Sequence, residues 1–213
     1  MWNFVKDRWD QILYNALQHA NLVLQAVLLA TVVAVLLAVV VNKFRLLEPV
    51  ANTLSAIGLT IPSFALVGLL LPITKIGATT AFICVAFYAT LPILRNAVVG
   101  FSQVDATLLE SAKGMGMTEV GILMRVRLPM AWPVIHAGVR TSVQMSMGIA
   151  AIASYVLGPG LGGYIFTGLS QAGNKNALNY ALVGTVGIVV VALIADLLML
   201  LLGRITISKG IRA

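Results

Sequence analysis

Charge is what this chain has least of. Of its 213 residues, 10% are charged and 60% are hydrophobic, whereas soluble domains run near 25% and 45–50%. That shortage excludes an ordinary soluble globular domain. Cysteine is nearly missing as well: Cys84 stands alone, so no disulfide can form within the chain, and its place in a long apolar stretch reads as packing. Histidine occurs twice, as His19 and His136, with no H-E-x-x-H, no clustered carboxylates and no G-x-S-x-G. Neither a metal site nor a nucleophile–base pair can be named from such a set. No G-x-x-x-x-G-K-[ST] phosphate loop is present, so ATP is not bound by that route. The run GPGLGG matches G-x-G-x-x-G at Gly158, Gly160 and Gly163. A dinucleotide site needs a preceding strand in a soluble βαβ unit. This run follows an apolar stretch instead and reads as a turn, with a short helix after it.

What the chain does have is long apolar runs. Five of them, about 21–41, 51–72, 77–99, 131–156 and 178–202, reach the roughly 20 residues a helix needs to cross hydrocarbon about 30 Å thick. Barrel strands would alternate apolar and polar residues, but Val32 to Val41 is apolar throughout. The expected fold is all-α: a polytopic membrane protein with five transmembrane helices. A net charge of +7 raises nucleic acid as a partner, yet the cations fall where membrane topology would put them. With residue 1 outside, Lys43, Arg45, Arg95, Lys113, Arg125, Arg127, Arg140, Arg204, Lys209 and Arg212 lie at or near the cytoplasmic side. Lys6, Arg8, Lys75 and Lys175 lie outside. The excess places the N-terminus outside and the C-terminus in the cytoplasm, with no nucleic-acid partner.

Residues 1–20 lack the continuous apolar core of a cleavable signal. Trp2, Val5, Trp9, Ile12, Leu13, Ala16 and Leu17 recur at helical spacing opposite a polar face. This reads as an interfacial helix anchored by Trp2 and Trp9, or as a simple lead-in to the first span. Pro62 and Pro92 fall inside spans and should bend them, either as structural kinks or along a pathway. Asp196 and Arg140 lie at similar depth in the last two spans. Charges within spans face the bundle or a cavity and find partners, so the two are expected to pair, as a clasp or as part of a proton relay.

The 101–130 segment interrupts this apolar pattern with polar and basic residues, a sign that it meets something in water. Asp105 can cap a helix from Ala106 to Lys113, with Leu108, Leu109 and Ala112 as its apolar contacts. Gly114 and Gly116 permit a sharp turn or a close approach. Thr118 can start a second helix running through Arg127, with Leu128-Pro129 ending it before the next span. A short helix held crosswise at the membrane surface can dock into a groove on a soluble subunit.

This segment resembles the EAA loop of permease subunits in bacterial ABC importers, E-A-A-x3-G-x9-I-x-L-P. Glu110, Ser111, Ala112, Gly116, Val126, Leu128 and Pro129 stand at its positions, with Ser111 for alanine and Val126 for isoleucine. TIPSFALVGLLLP at 60–72, LPILRNAVVG at 91–100 and LPMAWPVIHAGVRTS at 128–142 look like the osmoprotectant subgroup, which serves glycine betaine, choline and carnitine. The resemblance implies a methionine-permease-like core in the bacterial inner membrane. It implies two cytoplasmic ATPases that hold ATP and Mg, a second permease chain, identical or related, and an extracytoplasmic substrate-binding protein. No cofactor or metal is implied on this chain, and no catalytic residue.

By that resemblance Leu108, Leu109, Glu110, Ser111, Ala112, Lys113, Gly114, Gly116, Leu128 and Pro129 form the coupling region. Glu110 would orient the loop through hydrogen bonds or a basic partner. Pro62, Ser63, Phe64, Tyr88 and Tyr155 are candidates for the pathway, since aromatic faces attract quaternary ammonium. Permeases for methionine or another amino acid share the core and are the nearest alternative. An intramembrane enzyme, or a scaffold with no pathway, is the alternative from another class.

Overall fold

A computed structural model describes residues 1–208 and 210. Lys209 and Arg212, two of the cations counted toward the cytoplasmic side, lie outside the described residues. The described chain contains ten α-helices and no strand: α1 Trp2–Asp7, α2 Trp9–Lys43, α3 Glu48–Thr60, α4 Ser63–Thr74, α5 Ala78–Ser102, α6 Ala106–Gly114, α7 Glu119–Ile122, α8 Leu128–Ala153, α9 Gly162–Ser170 and α10 Ala177–Thr206.

The first apolar stretch does not begin a new helix at residue 21. Residues 9–43 form one helix of 35 residues, because neither glycine nor proline occurs before Pro49 to stop it. Its buried stripe runs His19, Leu22, Val23, Ala26, Val27, Ala30, Ala34, Ala38 and Val41, the three-and-four spacing of one helical face. The separate helix expected over 1–20 is therefore only α1. That stub ends at Arg8, whose guanidinium lies 4.4 Å from the Phe4 ring centroid.

The second apolar stretch is broken, not merely kinked. The segments 45–60 and 63–74 meet at 95°. Proline disfavours the helical region for the residue before it, and Ile61 is extended at φ −64°, ψ 125°. Its carbonyl accepts the Tyr88 hydroxyl of α5, which satisfies a group the break would otherwise orphan. By contrast, α5 runs through Pro92 without interruption.

Three helices, α2, α5 and α10, are each long and apolar enough to cross a membrane, and the bent α3–α4 pair makes a fourth if it counts as one span. The fifth expected span, α8, has 26 residues but a more polar composition. It forms the centre of the bundle with α5. Ser142 Oγ donates to the Ala89 carbonyl at 2.8 Å. At Gly138 an added Cβ would sit 2.6 Å from Asn96 Cβ, so only glycine lets the two backbones approach this closely.

The glycine run forms the turn at the far end of α8. Gly160 has φ +124° and presses on the buried His19, while a Cβ on Gly162 would lie 2.2 Å from the Ala151 carbonyl oxygen. After the turn, α9 packs back against α10.

Candidate functional site

The polar insert holds its shape through its own caps. Asp105 Oδ1 accepts the Thr107 N–H at 2.8 Å, which satisfies one of the free amides at the start of α6. At the other end Gly116 turns left-handed at φ +79°. There the Gly116 N–H donates to the Lys113 carbonyl at 2.9 Å and the Met117 N–H to the Ala112 carbonyl at 3.2 Å. That pair of bonds is a Schellman end, which requires the conformation glycine adopts without penalty. Gly114 has neither a positive φ nor any atom crowding it. Neither reason for a glycine applies there within the chain.

Ala112 is buried, yet Leu108, Met115, Val120 and Met124 are exposed at 43%, 75%, 70% and 57%. Apolar side chains thus project from a polar, solvent-exposed stretch of the chain. Lys113 and Glu119 form a 3.8 Å ion pair, but both are exposed, and such pairs contribute less than about 1 kcal/mol. Glu110 and Ser111 are exposed, and Glu110 makes no side-chain hydrogen bond or ion pair among the described residues. Any partner that orients Glu110 is not within the described chain.

The expected stop at Leu128-Pro129 is absent. α7 passes through a π-helical turn over Leu123–Arg127 straight into α8, and the Leu128 N–H reaches back to the Leu123 carbonyl. Pro129 has no N–H to offer a carbonyl of the preceding turn, and it lies inside the continuous rod, beside the π turn. The wide turn absorbs the irregularity without breaking the rod.

Further along α8, Ala137, Thr141, Gln144 and Gly148 are exposed at intervals of four, three and four residues, a single helical face. Beside it Arg140 Nε and Nη2 donate to Asp196 Oδ1 and Oδ2 of α10 at 2.6 and 2.8 Å. Gln144 Nε2 donates to the same Oδ1 at 2.7 Å. A cavity of about 600 Å³, lined by His136, Arg140, Thr141 and Gln144, opens alongside. Hydrocarbon offers such groups no partner, so this face meets protein or water.

A family model described as the binding-protein-dependent transport system inner membrane component matches residues 27–206. The chain belongs to this family.

The permease is 35% identical over 209 residues to the choline transport system permease protein OpuBB of Bacillus subtilis (strain 168), covering 98% of this chain and 94% of that one. It is also 35% identical over 212 residues to the glycine betaine/carnitine/choline transport system permease protein OpuCB of the same organism, covering 100% and 96%. The osmoprotectant import permease protein OsmW of Salmonella typhimurium is 35% identical over 200 residues, covering 92% and 91%. Among solved structures, an inward-facing form of the MetNI methionine ABC transporter matches with TM-score 0.74 at 19% identity, covering 95% of this chain and 96% of that one. At that identity the likeness establishes the fold alone.

In the permease the named loop residues from Leu108 to Gly116 lie on α6 and the turn after it, while Leu128 and Pro129 begin α8; Leu109 and Leu128 are half-buried and Pro129 is exposed. The pathway candidates are scattered. Pro62 and Ser63 open α4, and Phe64 and Tyr155 meet edge-to-face at 5.4 Å between ring centroids. Tyr88 is turned inward at 4% exposure, and its hydroxyl is engaged with Ile61. Sequence reasoning missed Gln144, although an amide one turn beyond Arg140 is a readable signal. It also missed Phe166, which has no signal of its own.

Proposed function

We propose that this permease is one half of the membrane part of an ATP-driven importer for quaternary-ammonium osmoprotectants, the choline, glycine betaine and carnitine of its relatives' names. Its partners are two cytoplasmic ATPases that hold ATP and Mg, a second permease chain and an extracytoplasmic substrate-binding protein. No cofactor resides on this chain. The N-terminus is outside, with Trp2 and Trp9 at the outer interface, and the 101–130 loop is cytoplasmic.

One observation carries this reading. The self-capped helix α6 ends in the Gly116 turn, after which α7 runs through the π turn into α8 unbroken, and Leu108, Met115, Val120 and Met124 are exposed along this path. A soluble ATPase gripping α6 and the exposed Val120 and Met124 therefore holds the base of the rod that bears the polar face. Closure of the ATPases displaces α6, the push passes along α7 into α8, and access to a pathway beside Gln144 and Thr141 alternates. Such a pathway needs only weak solute contacts, since tight binding would slow release.

The test is Gly116→Arg. A bulky left-handed residue there strains the Schellman end and projects into the open space around it. Substrate-stimulated ATPase activity is expected to be lost while membrane insertion persists; normal transport by this variant would refute the coupling role. Orientation is checked with Lys113→Cys in a Cys84→Ser background. A membrane-impermeant maleimide should label it only in inverted vesicles.

A further inference from the structure

Three aromatic rings from different parts of the chain converge near the end of α8 remote from the loop. Phe64 of α4, Tyr155 of the 3-10 turn Ser154–Val156 and Phe166 of α9 have centroids 5.4, 5.3 and 6.3 Å apart, with interplanar angles of 67°, 59° and 86°. Edge-to-face packing explains why the rings touch. It does not explain why Phe64 and Tyr155 remain 49% and 62% exposed. Inclined planes with two exposed rings form an open corner. A point ~3.5 Å above the triangle of centroids lies about 5 Å from all three, inside the roughly 6 Å reach of a cation–π contact.

The location supports a ligand. Tyr155 lies 18 residues beyond Ala137, about five helical turns, so it extends the exposed face of Thr141, Gln144 and Gly148. The Gly148 position is itself open, with nothing within 4 Å of an added Cβ. The chemistry is selective as well. All seven acidic residues, Asp7, Asp10, Glu48, Asp105, Glu110, Glu119 and Asp196, belong to other elements. Against a cation, α4, the 3-10 turn and α9 offer ring faces and no carboxylate. Small inorganic cations, strongly hydrated, would give up more in water than three rings return. A quaternary ammonium has no hydrogen-bond donors to leave unsatisfied and loses little.

We infer that Phe64, Tyr155 and Phe166 form a weak acceptor site for quaternary-ammonium headgroups at the start of the passage, below the binding protein and above the polar face of α8. The inference rests on the substrate class proposed above and adds the residues that receive the solute.

The assembled permease–ATPase complex in lipid nanodiscs, without the binding protein, is examined by saturation-transfer NMR with choline as the probe. 3,3-Dimethylbutanol, its neutral isostere, serves as the comparison. The choline N-methyl protons should receive saturation. Phe64→Leu with Tyr155→Leu should weaken apparent affinity about tenfold, while Tyr155→Phe stays within about twofold and the isostere binds about tenfold more weakly than choline. Pentafluorophenylalanine at position 64 keeps the ring's outline but reverses its face charge, and should weaken choline binding while leaving binding of the neutral isostere within about twofold. Equal binding by the double leucine variant, or by the isostere, overturns the site. So does an absent choline signal from a complex that imports choline when its binding protein is added. A complete importer that moves none of choline, glycine betaine or carnitine refutes the substrate reading instead, and the site falls with it.

Discussion

α5 and α10 are both long and apolar, yet their surroundings are opposite. Of the most apolar stretch of α5, 56% is buried in the bundle; for α10 the figure is 11%, although α10 is the more apolar of the two. In water the more apolar helix would be the more buried. Here hydropathy tracks exposure to lipid, because acyl chains solvate leucine as well as protein does. Burial is marked by small and hydroxylic residues instead: Gly100, Gly138 and Ser142 lie along the α5–α8 seam. α10 is tied at points, with Gly203 against His136, Gly184 against Ile165 and Asp196 against Arg140.

The sharpest way to break this comparison is to crowd the seam. Gly138→Leu adds bulk where even a Cβ would sit 2.6 Å from Asn96 Cβ. Overpacking of that kind costs about 1–3 kcal/mol or more, so the variant should show a large loss of monodisperse protein and of Tm in detergent. Wild-type behaviour would mean that α5 and α8 can separate at no cost, and the contrast with α10 would vanish.

A smaller effect is expected at the tie between α8 and α10. Asp196→Asn keeps the shape of the side chain but leaves the Arg140 charge unmatched, and Tm and import should both fall. Adding Arg140→Gln should recover most of the stability, a coupling that a double-mutant cycle isolates. Recovery of import together with stability identifies a clasp. Recovered stability with import still lost assigns the charges a part in transport.

The two regions also differ in how far the sequence discloses them. The apolar runs behind α2, α5 and α10 were visible because a helix in lipid must be apolar over its whole girth. The central place of α8 was not, since Arg140, Thr141 and Gln144 dilute its hydropathy and only tertiary contact reveals that the bundle and a polar face share it. The 95° break had its signal in Pro62, but proline kinks and proline breaks look alike in sequence. What decides between them is whether a donor such as the Tyr88 hydroxyl reaches the freed Ile61 carbonyl. In the loop, the Asp105 cap and the glycine turn follow local rules and were readable. The π turn was not, because it depends on α7 and α8 being one rod. Arg140 and Asp196 could be matched by depth alone, whereas Phe166 meets Phe64 and Tyr155 only through the glycine turn that folds α9 back.

The least disruptive substitution sharpens the comparison from the other side. Leu197 is 57% exposed on α10, in a row with Leu193 and Val190 at 65% and 49%. Truncating a leucine that faces lipid forfeits little, because acyl chains fill the space it leaves. Leu197→Ala should change stability by less than about 0.5 kcal/mol, the range of surface substitutions, read as Tm of the assembled importer in nanodiscs. A loss nearer the 2–5 kcal/mol of a buried leucine would mean that this row packs against protein in the assembled importer. The second permease chain would then be sought along Val190, Leu193 and Leu197 as well as beside the polar face of α8. Repeating the measurement in the isolated permease and in the assembled complex separates the cases: a lipid-facing row responds equally in both, and an interface row responds only after assembly.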